Sequence, residues 1–221
     1  MYQDYYQYFV REHQAVSHLS GACLEIGSGG GFLKDILPNV LTSDVCPDPG
    51  LDRVVHSEKL DFPDESLRAI FLLNVLHHLP DPEAFFNEAN RCLVRGGRLV
   101  MIEPYRSWWS RVFYRFLHHE PFDDQAPAWT VEGQGRLHRA NIAVPWIIFW
   151  RDRQRFESLW PALRIRSLER HTVFKYLISG GVSWRALLPG GAYPVVHALD
   201  DLLSKCPRVF SIFQTIVIEK Q

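Results

Sequence analysis

A glycine-rich turn at residues 27–31 constrains the fold of this chain more than any other segment. It follows the largely apolar segment Ala22–Ile26, which predicts a short buried strand, and it precedes residues 32–37, which predict one or two helical turns ended by Pro38. Glycine permits a tight turn, and the missing Cβ lets backbone N–H groups approach a ligand at the carboxyl end of a first strand. The segment therefore predicts the floor of a nucleotide site in an α/β fold, with an ordinary flexible loop as the alternative.

Two further segments have the pattern of an α/β sheet. Residues 40–45 predict a second strand that places Asp44 seventeen residues after Gly27, close to the offset at which a carboxylate accepts hydrogen bonds from ribose hydroxyls. A surface aspartate in a turn is the alternative for Asp44. The polar turn at residues 61–66 precedes the apolar run Ala69–Leu76, whose length and composition predict a fully buried central strand.

The order and spacing of the motifs in residues 20–104 match those of one enzyme family. The motifs are Glu25-x-Gly27-x-Gly29-x-Gly31, Asp44, Asp61-Phe62-Pro63-Asp64, Asn74 to Pro82, and Val94 to Pro104. Together they resemble the successive motifs of the S-adenosylmethionine-dependent methyltransferases with a Rossmann-like fold. An NAD-binding domain would supply the glycines and the acid but not the last two segments. The resemblance implies an α/β, doubly wound, mostly parallel seven-stranded sheet, with an antiparallel last strand and a helical, aromatic insertion after the fifth strand.

The resemblance also implies S-adenosylmethionine as the cofactor and assigns residues to it. The glycine turn with Ser28 would line the amino-acid and ribose portions, and Asp44 would bind the ribose. Asp61 would accept a hydrogen bond from the adenine amine, and Glu25 would hold the turn or reach the methionine amine through water. The implied cofactor-binding residues are Glu25, Gly27, Ser28, Gly29, Gly31, Asp44, Val45, Asp61, Phe62 and Asn74.

Length and composition predict a single domain. With 221 residues, 47% of them hydrophobic, the chain can bury a sizeable core, and a split into two independent cores is not expected. Within it we expect an N-terminal helical lid (1–19), the cofactor-binding core (20–104), an insertion that lines the acceptor pocket (105–145) and the completion of the sheet (146–221). A helix packed on the sheet is the alternative for residues 1–19.

The C-terminal part contains patterns for the closing elements of the sheet. It predicts a helix at residues 145–159, a strand at 163–172, a helix at 193–204 and the last strand at 209–219. Glycine-rich residues 179–191 predict extra loops between the last two strands.

Charge is distributed unevenly along the chain, although the net charge is only −1. Residues 1–104 carry a net −7 and residues 105–221 a net +6, and most cations of the second half are arginines. Because arginine suits bidentate capture of carboxylate or phosphate, we expect a small anionic acceptor, such as a sugar or a lipid-linked intermediate. Solvated arginines paired with local acids, as in Arg151-Asp152-Arg153, are the alternative. A pI of about 6.8 argues against a nucleic-acid partner.

An aromatic and cationic segment directly follows the expected fifth strand. Residues 105–117 predict a short helix, which is well placed to wall the acceptor pocket. A helix lying on a membrane surface is one alternative, and core packing of Trp108 or Trp109 is another. The chain has no leader pattern and no apolar run long enough for a membrane span, so a cytoplasmic protein is expected.

Histidines at two places are candidates for proton transfer or acceptor contact. Methyl transfer from a sulfonium is an in-line displacement, so a general base is needed only when the acceptor must lose a proton. His77 and His78 follow the expected fourth strand, where chemistry is expected, although this segment can instead shape the cofactor pocket and start a helix. His119 and Glu120 are further candidates, as acceptor contacts.

Metal and disulfide chemistry are not expected. Residues 118–124 combine imidazoles with carboxylates, but adjacent ligands in one loop rarely form a site without distant partners, so no metal is predicted. The four cysteines lie far apart in the sequence, which favours reduced thiols.

Two other functions would suit parts of the same sequence. A nicotinamide-dependent oxidoreductase could use the glycine turn and Asp44. A non-enzymatic scaffold that binds the cofactor could dock on a membrane or a partner through residues 105–117.

Overall fold

Seven strands of the described residues form one sheet. The computed structural model describes residues 2–131, 140–171 and 193–221. The strands are β1 (Ala22–Ile26), β2 (Val40–Asp44), β3 (Arg53–Val54), β4 (Leu67–Leu73), β5 (Leu93–Pro104), β6 (Leu163–His171) and β7 (Phe213–Lys220). Their order is β3-β2-β1-β4-β5-β7-β6; β1 to β5 pair in parallel, and β7 runs antiparallel to both β5 and β6. This confirms the predicted α/β class with an antiparallel last strand.

Helices cover both faces of the sheet. They are α1 (Tyr2–Ala15), α2 (Pro82–Cys92), α3 (Trp108–Phe116), α4 (Val144–Trp146) continued by a π-helical turn (Ile147–Arg151), α5 (Arg153–Leu159), α6 (Tyr193–Leu203) and α7 (Pro207–Phe210). Shorter 3₁₀ turns span Phe32–Asp35 and Leu76–His78. No helix of the described residues has the length and apolar character needed to cross a membrane.

The central strand β4 explains why this sequence forms a two-faced core. Ile70 and Leu72 point to the face that contains Phe86 of α2, while Phe71 points to the opposite face. There the ring of Phe9 in α1 lies 5.0 Å from the ring of Phe71, centroid to centroid. A strand buried on both faces is apolar along its length, and after Arg68 every residue of β4 is apolar.

The N-terminal helix α1 packs on the sheet. Tyr5, Tyr6 and Phe9 are buried in the core cluster on that face. A helix packed on the sheet is the alternative to a lid that the sequence left open for residues 1–19. No described residue of α1 lines either cavity presented below, and a lid role for this helix stays a prediction.

Several element boundaries differ from the sequence expectation. The last strand begins at Phe213 rather than at residue 209, because Pro207 starts the short helix α7. The run expected as one strand at residues 69–76 ends at Leu73, where Asn74 takes a left-handed backbone conformation (φ 57°). The turn after the glycines is 3₁₀ rather than α-helical and ends before Pro38, which disfavours helix in the preceding residue. The loops expected at residues 179–191 lie outside the described residues.

Candidate functional site

A cavity of about 490 Å³ lies at the carboxyl ends of β1 to β4. This volume is in the range of small-molecule sites, and the position, where the strand order reverses between β1 and β4, is where open α/β sheets bind ligands. We call it the glycine-turn cavity. It is lined by Ile26, Gly27, Asp44, Val45, Val55, His56, Ser57, Glu58, Asn74, Val75, His78, Leu79 and Pro80.

The glycine turn has a backbone that side chains would not tolerate. Gly27, Gly29 and Gly31 have φ values of 70°, 51° and 72°, in the left-handed region. A Cβ atom on Gly27 would also lie 2.4 Å from Cγ2 of Val75, whereas one on Gly31 would meet open space. Gly27 is therefore required both by its backbone conformation and by the closeness of the turn to the end of β4.

Ser28 fastens the turn to the second strand. Its backbone N–H donates to the carbonyl of Ser43 at 2.8 Å, and its Oγ accepts from the N–H of Ser43 at 3.0 Å. Ser28 is not itself among the residues that line the cavity.

Asp44 links the glycine turn to the cavity wall. Its carboxylate accepts hydrogen bonds from the N–H groups of Gly29 (3.2 Å) and Cys46 (3.1 Å). An ionised carboxylate has about four acceptor positions, so two remain for a ligand in the cavity. Asp44, with its neighbour Val45, thus lies where the sequence places a ribose contact.

Asn74 combines backbone strain with an unpaired polar atom. Its φ of 57° is uncommon for a residue other than glycine and is maintained by a hydrogen bond from its N–H to the carbonyl of Ile102 (2.9 Å). The side chain lines the cavity, and its buried Oδ1 has no hydrogen-bond partner among the described residues. Since buried polar atoms are almost always paired, this atom indicates a ligand contact.

Glu25 lies buried beneath the turn and is only 2% exposed. Burial raises the pKa of its carboxyl to about 7, against a smaller opposing effect of a hydrogen bond with Ser28. The Oε2 atom has no partner among the described residues, and Glu25 is not among the residues that line the cavity. Its contact with a ligand stays a prediction.

The raised pKa of Glu25 predicts a pH-dependent stability. The free energy of unfolding should fall by up to about 3 kcal/mol as the pH rises through the window between the unfolded pKa and the folded pKa. That window runs from about 4.5 to about 7, and within it the folded state binds more protons than the unfolded chain. Urea unfolding at several pH values should show a flatter profile for Glu25→Gln than for the unchanged protein. Glu157→Gln, on the surface, should keep the original slope, and an unchanged slope in Glu25→Gln would contradict the assignment.

Two predicted adenine contacts are not brought to the cavity. Asp61 is exposed, and the ring of Phe62 packs under the guanidinium of Arg53, 4.9 Å from its centroid. Residues 55–58 form part of the cavity wall instead, and the sequence did not lead us to them. These residues directly follow β3, whose two exposed residues are too short a signal to recognise as a strand. The roles of Asp61 and Phe62 remain predictions that the geometry does not support.

A buried carboxylate orients the first of the two adjacent histidines. Glu103 is 0% exposed; its Oε1 accepts from the N–H groups of Val75 (2.8 Å) and Leu76 (2.7 Å), and its Oε2 lies 2.7 Å from Nδ1 of His77. Sequence reasoning did not single out Glu103. A lone charged residue within the apolar run of β5 was the signal that could have found it.

The structure brings both histidines to Glu120. Nε2 of His77 lies 3.6 Å from Oε2 of Glu120, and Nε2 of His78 lies 3.5 Å from Oε1. Burial alone would lower the pKa of His77, but Glu103 and Glu120 outweigh it and raise the pKa to about 9. Burial alone would raise the pKa of Glu120, but the surrounding histidines lower it to about 2.

The three candidate catalytic histidines differ in access to the cavity. His78 lines the glycine-turn cavity, whereas His77 is 3% exposed and lies behind it. The side chain of His119 is 63% exposed, with Nε2 at 3.7 Å from Oε1 of Glu120. Catalytic roles for these residues remain predictions.

A second cavity, of about 450 Å³, is rich in arginine and tryptophan. It lies at the same edge of the sheet, because Phe213 of β7 pairs both with Pro104, the end of β5, and with His171, the end of β6. We call it the arginine–tryptophan cavity. It is lined by Tyr105, Arg106, Trp108, Arg111, Trp146, Trp150, Arg170 and Arg208.

Among the described residues, the cations that line this cavity outnumber the acids paired with them. Arg106 and Arg111 both pair with Asp124, at 2.9 and 3.2 Å. The guanidinium of Arg170 lies 4.0 Å from the ring centroid of Trp150, and its buried Nε has no hydrogen-bond partner among the described residues. The described lining of the cavity therefore carries an excess of positive charge and at least one guanidinium N–H that a ligand could satisfy.

Other arginines of residues 105–221 pair with neighbouring acids. This agrees with the alternative interpretation of these arginines, in which they are solvated and paired locally. Arg151 donates to Asp152 at 2.8 Å, and Arg153 donates to Glu157 at 2.8 Å. These residues are thus not part of the positive excess at the arginine–tryptophan cavity.

Known proteins resemble this chain in sequence and in fold. Residues 24–101 match the family model of the methyltransferase domain. A SAM-dependent methyltransferase from Archaeoglobus fulgidus matches with a TM-score of 0.57 and 14% identity, over 99% of this chain and 92% of that one. A SAM-dependent methyltransferase from Thermotoga maritima matches with a TM-score of 0.52 and 16% identity, over 100% and 95%. At these identities the structural matches show the fold. A search of curated protein sequences finds no match.

Proposed function

We propose that this chain, an S-adenosylmethionine-dependent methyltransferase with a Rossmann-like fold, methylates a small anionic acceptor that binds in the arginine–tryptophan cavity. The matched methyltransferase domain covers the glycine turn, Asp44 and Asn74. It favours this activity over the nicotinamide-dependent oxidoreductase that the same turn would suit. The observation that carries the acceptor proposal is the positive excess of a second cavity at the same sheet edge.

The residues of the glycine-turn cavity fit the cofactor. Gly27 lines the cavity at the turn, Asp44 has acceptor positions left for ribose hydroxyls, and the unpaired Oδ1 of Asn74 can accept from an ammonium group. S-adenosylmethionine supplies a methyl group on a sulfonium. Every other part of the transfer depends on how the protein binds and orients the two reactants.

The protein's main task in this reaction is to position the acceptor. In-line displacement requires the reacting atoms to be held about 3–3.5 Å apart and water to be excluded. Arg170, Arg106 and Arg111 are suited to orient a carboxylate or phosphate through fixed guanidinium planes. If the acceptor must lose a proton, His78 is a candidate base, because it is one of the two imidazoles among the described residues, with His56, that line the glycine-turn cavity.

The surface of α3 favours an acceptor with an apolar tail. Trp108 and Phe116 are 72% and 73% exposed, and Val112 lies between them on the same helix face. Trp108 also lines the arginine–tryptophan cavity, so this apolar stripe continues from the cavity rim. An anionic head in the cavity and an apolar tail along α3 would suit a lipid-linked acceptor better than a free sugar.

Substitution of Arg170 tests the acceptor site. Formation of S-adenosylhomocysteine should first be measured with phosphates and carboxylates, each with and without an acyl tail. With the best acceptor, Arg170→Gln should raise KM for the acceptor about 10- to 100-fold, since a charge-assisted hydrogen bond contributes about 1.5–3 kcal/mol. The KM for S-adenosylmethionine should be unchanged. Arg166→Gln, on the same strand but paired with Glu219 on the surface, is the matched control. Turnover of neutral acceptors alone, or an unchanged acceptor KM in Arg170→Gln, would overturn the proposal.

A further inference from the structure

Three donor groups from two distant parts of the chain converge beside the glycine-turn cavity. His77 and His78 follow β4, and Glu120 follows α3. One ligand atom from each, a ring nitrogen or a carboxylate oxygen, lies within 4.8 Å of the other two. The sequence expectation of no metal rested on the lack of distant partners for residues 118–124. His77 and His78 are such partners.

The distances suit a single small ion. Two ligands held at about 2.0–2.1 Å in a tetrahedral zinc site are about 3.3 Å apart. The two histidine-to-Glu120 separations, 3.6 and 3.5 Å, are close to this value. The ligand atoms of His77 and His78 lie within 4.8 Å of one another.

Glu103 orients His77 as a carboxylate behind a metal-bound histidine does. Its Oε1 already accepts from two backbone N–H groups, so this group acts as an acceptor and Nδ1 of His77 carries the shared proton. That tautomer directs Nε2 toward Glu120. Metal-ligating histidines almost always donate their other N–H to a carboxylate, carbonyl or water in this way.

We propose that His77, His78 and Glu120 bind one Zn²⁺ ion at the wall of the glycine-turn cavity. Two imidazoles and a carboxylate are a donor set of catalytic zinc sites, which keep a further position open for water or substrate. His78 lines the cavity, so the open position faces the space where reactants meet. An oxygen or sulfur atom of the acceptor is the chemical class that this position would take. The site is inferred from these contacts and does not depend on the acceptor being anionic.

An arrangement without metal accounts for part of the same contacts. An imidazolium at His77 could bridge Glu103 and Glu120 as a buried ion pair. His78 is not needed for that ion pair. The two interpretations therefore differ in whether zinc binds and in whether His78 is needed for it.

Metal titration of the full chain separates these interpretations. Tag-free protein carrying Cys46→Ser and Cys206→Ser, which removes the exposed thiols, should be stripped with a chelator and titrated with Zn²⁺ against a chromophoric competitor. We expect one ion per chain, and we expect Co²⁺ to give the intense visible absorption of a tetrahedral site. Glu120→Gln and His78→Gln should each weaken Zn²⁺ binding at least 10-fold, while Asp123→Asn, exposed on the same loop, should leave it unchanged.

Measurements on the same variants can also contradict the proposed zinc site. Circular dichroism should first show that each variant is folded, and His78→Gln is the safer one because its side chain is partly exposed. Absence of stoichiometric Zn²⁺ binding in the parent protein would overturn the site and favour the ion pair. Binding that persists in both Glu120→Gln and His78→Gln would place the ion elsewhere and overturn it equally.

Discussion

Replacement of Glu103 by alanine should lower the free energy of unfolding by about 3–5 kcal/mol, the range for breaking a buried charge pair. Glu103 is fully buried and joins β5 to the turn after β4 through three short contacts. Alanine leaves the N–H groups of Val75 and Leu76 unpaired and removes the carboxylate that faces His77. Each buried donor left unpaired costs about 1–3 kcal/mol.

Equilibrium urea unfolding measures this effect directly. Glu103→Gln keeps one oxygen for the two backbone donors but places a neutral amide against His77, so its loss of stability should be smaller than that of alanine. Glu157→Ala, a surface change far from this cluster, should stay within about 0.5 kcal/mol of the parent protein. A loss below about 1 kcal/mol in Glu103→Ala would contradict the assigned role of this carboxylate.

Gly27→Ala should be the most damaging change in the glycine turn. The left-handed backbone costs a residue with a Cβ about 1–2 kcal/mol, and overpacking against Val75 adds about 1–3 kcal/mol. The clash follows from the 2.4 Å approach of the new Cβ to Cγ2 of Val75. Because Val75 also lines the cavity, its displacement should weaken binding of S-adenosylhomocysteine at least 10-fold in calorimetry.

Gly31→Ala is the matched control for this prediction. Gly31 has nearly the same φ, 72° against 70° for Gly27, but a Cβ there would meet no atom within 4 Å. The loss of stability in Gly31→Ala should therefore come only from placing a residue with a Cβ in the left-handed backbone conformation. Equal losses in the two variants would show that contact with Val75 plays no part.

Elements with strong local signals were predicted well from the sequence. The bounds of β1 agree with the largely apolar segment Ala22–Ile26. Helix α2 also has clear local signals, although its bounds were not predicted: Asp81 caps it, accepting from the N–H of Ala84 at 3.0 Å, and Pro82 stands at the first position. By contrast, β3 was missed, and residues 55–58 of the cavity wall were missed with it, because two exposed residues carry no periodicity.

The sequence by itself determined the class of the fold and four residues that line the glycine-turn cavity. Gly27, Asp44, Val45 and Asn74 were all identified from motifs and strand ends, and all line the glycine-turn cavity. Such features can be read locally, since turn geometry, side-chain alternation and the meeting of parallel strands at one edge follow from neighbouring residues.

Only the tertiary structure decided which distant side chains meet at that edge. Glu120 joins His77 and His78 because the segment after α3 folds back over the end of β4, and Arg106 joins Arg170 because β7 pairs with both β5 and β6. Contacts of this kind arise from how loops return across the sheet. Their free energy depends on packing between residues that are far apart in the chain, and such packing produces no periodic pattern in the sequence.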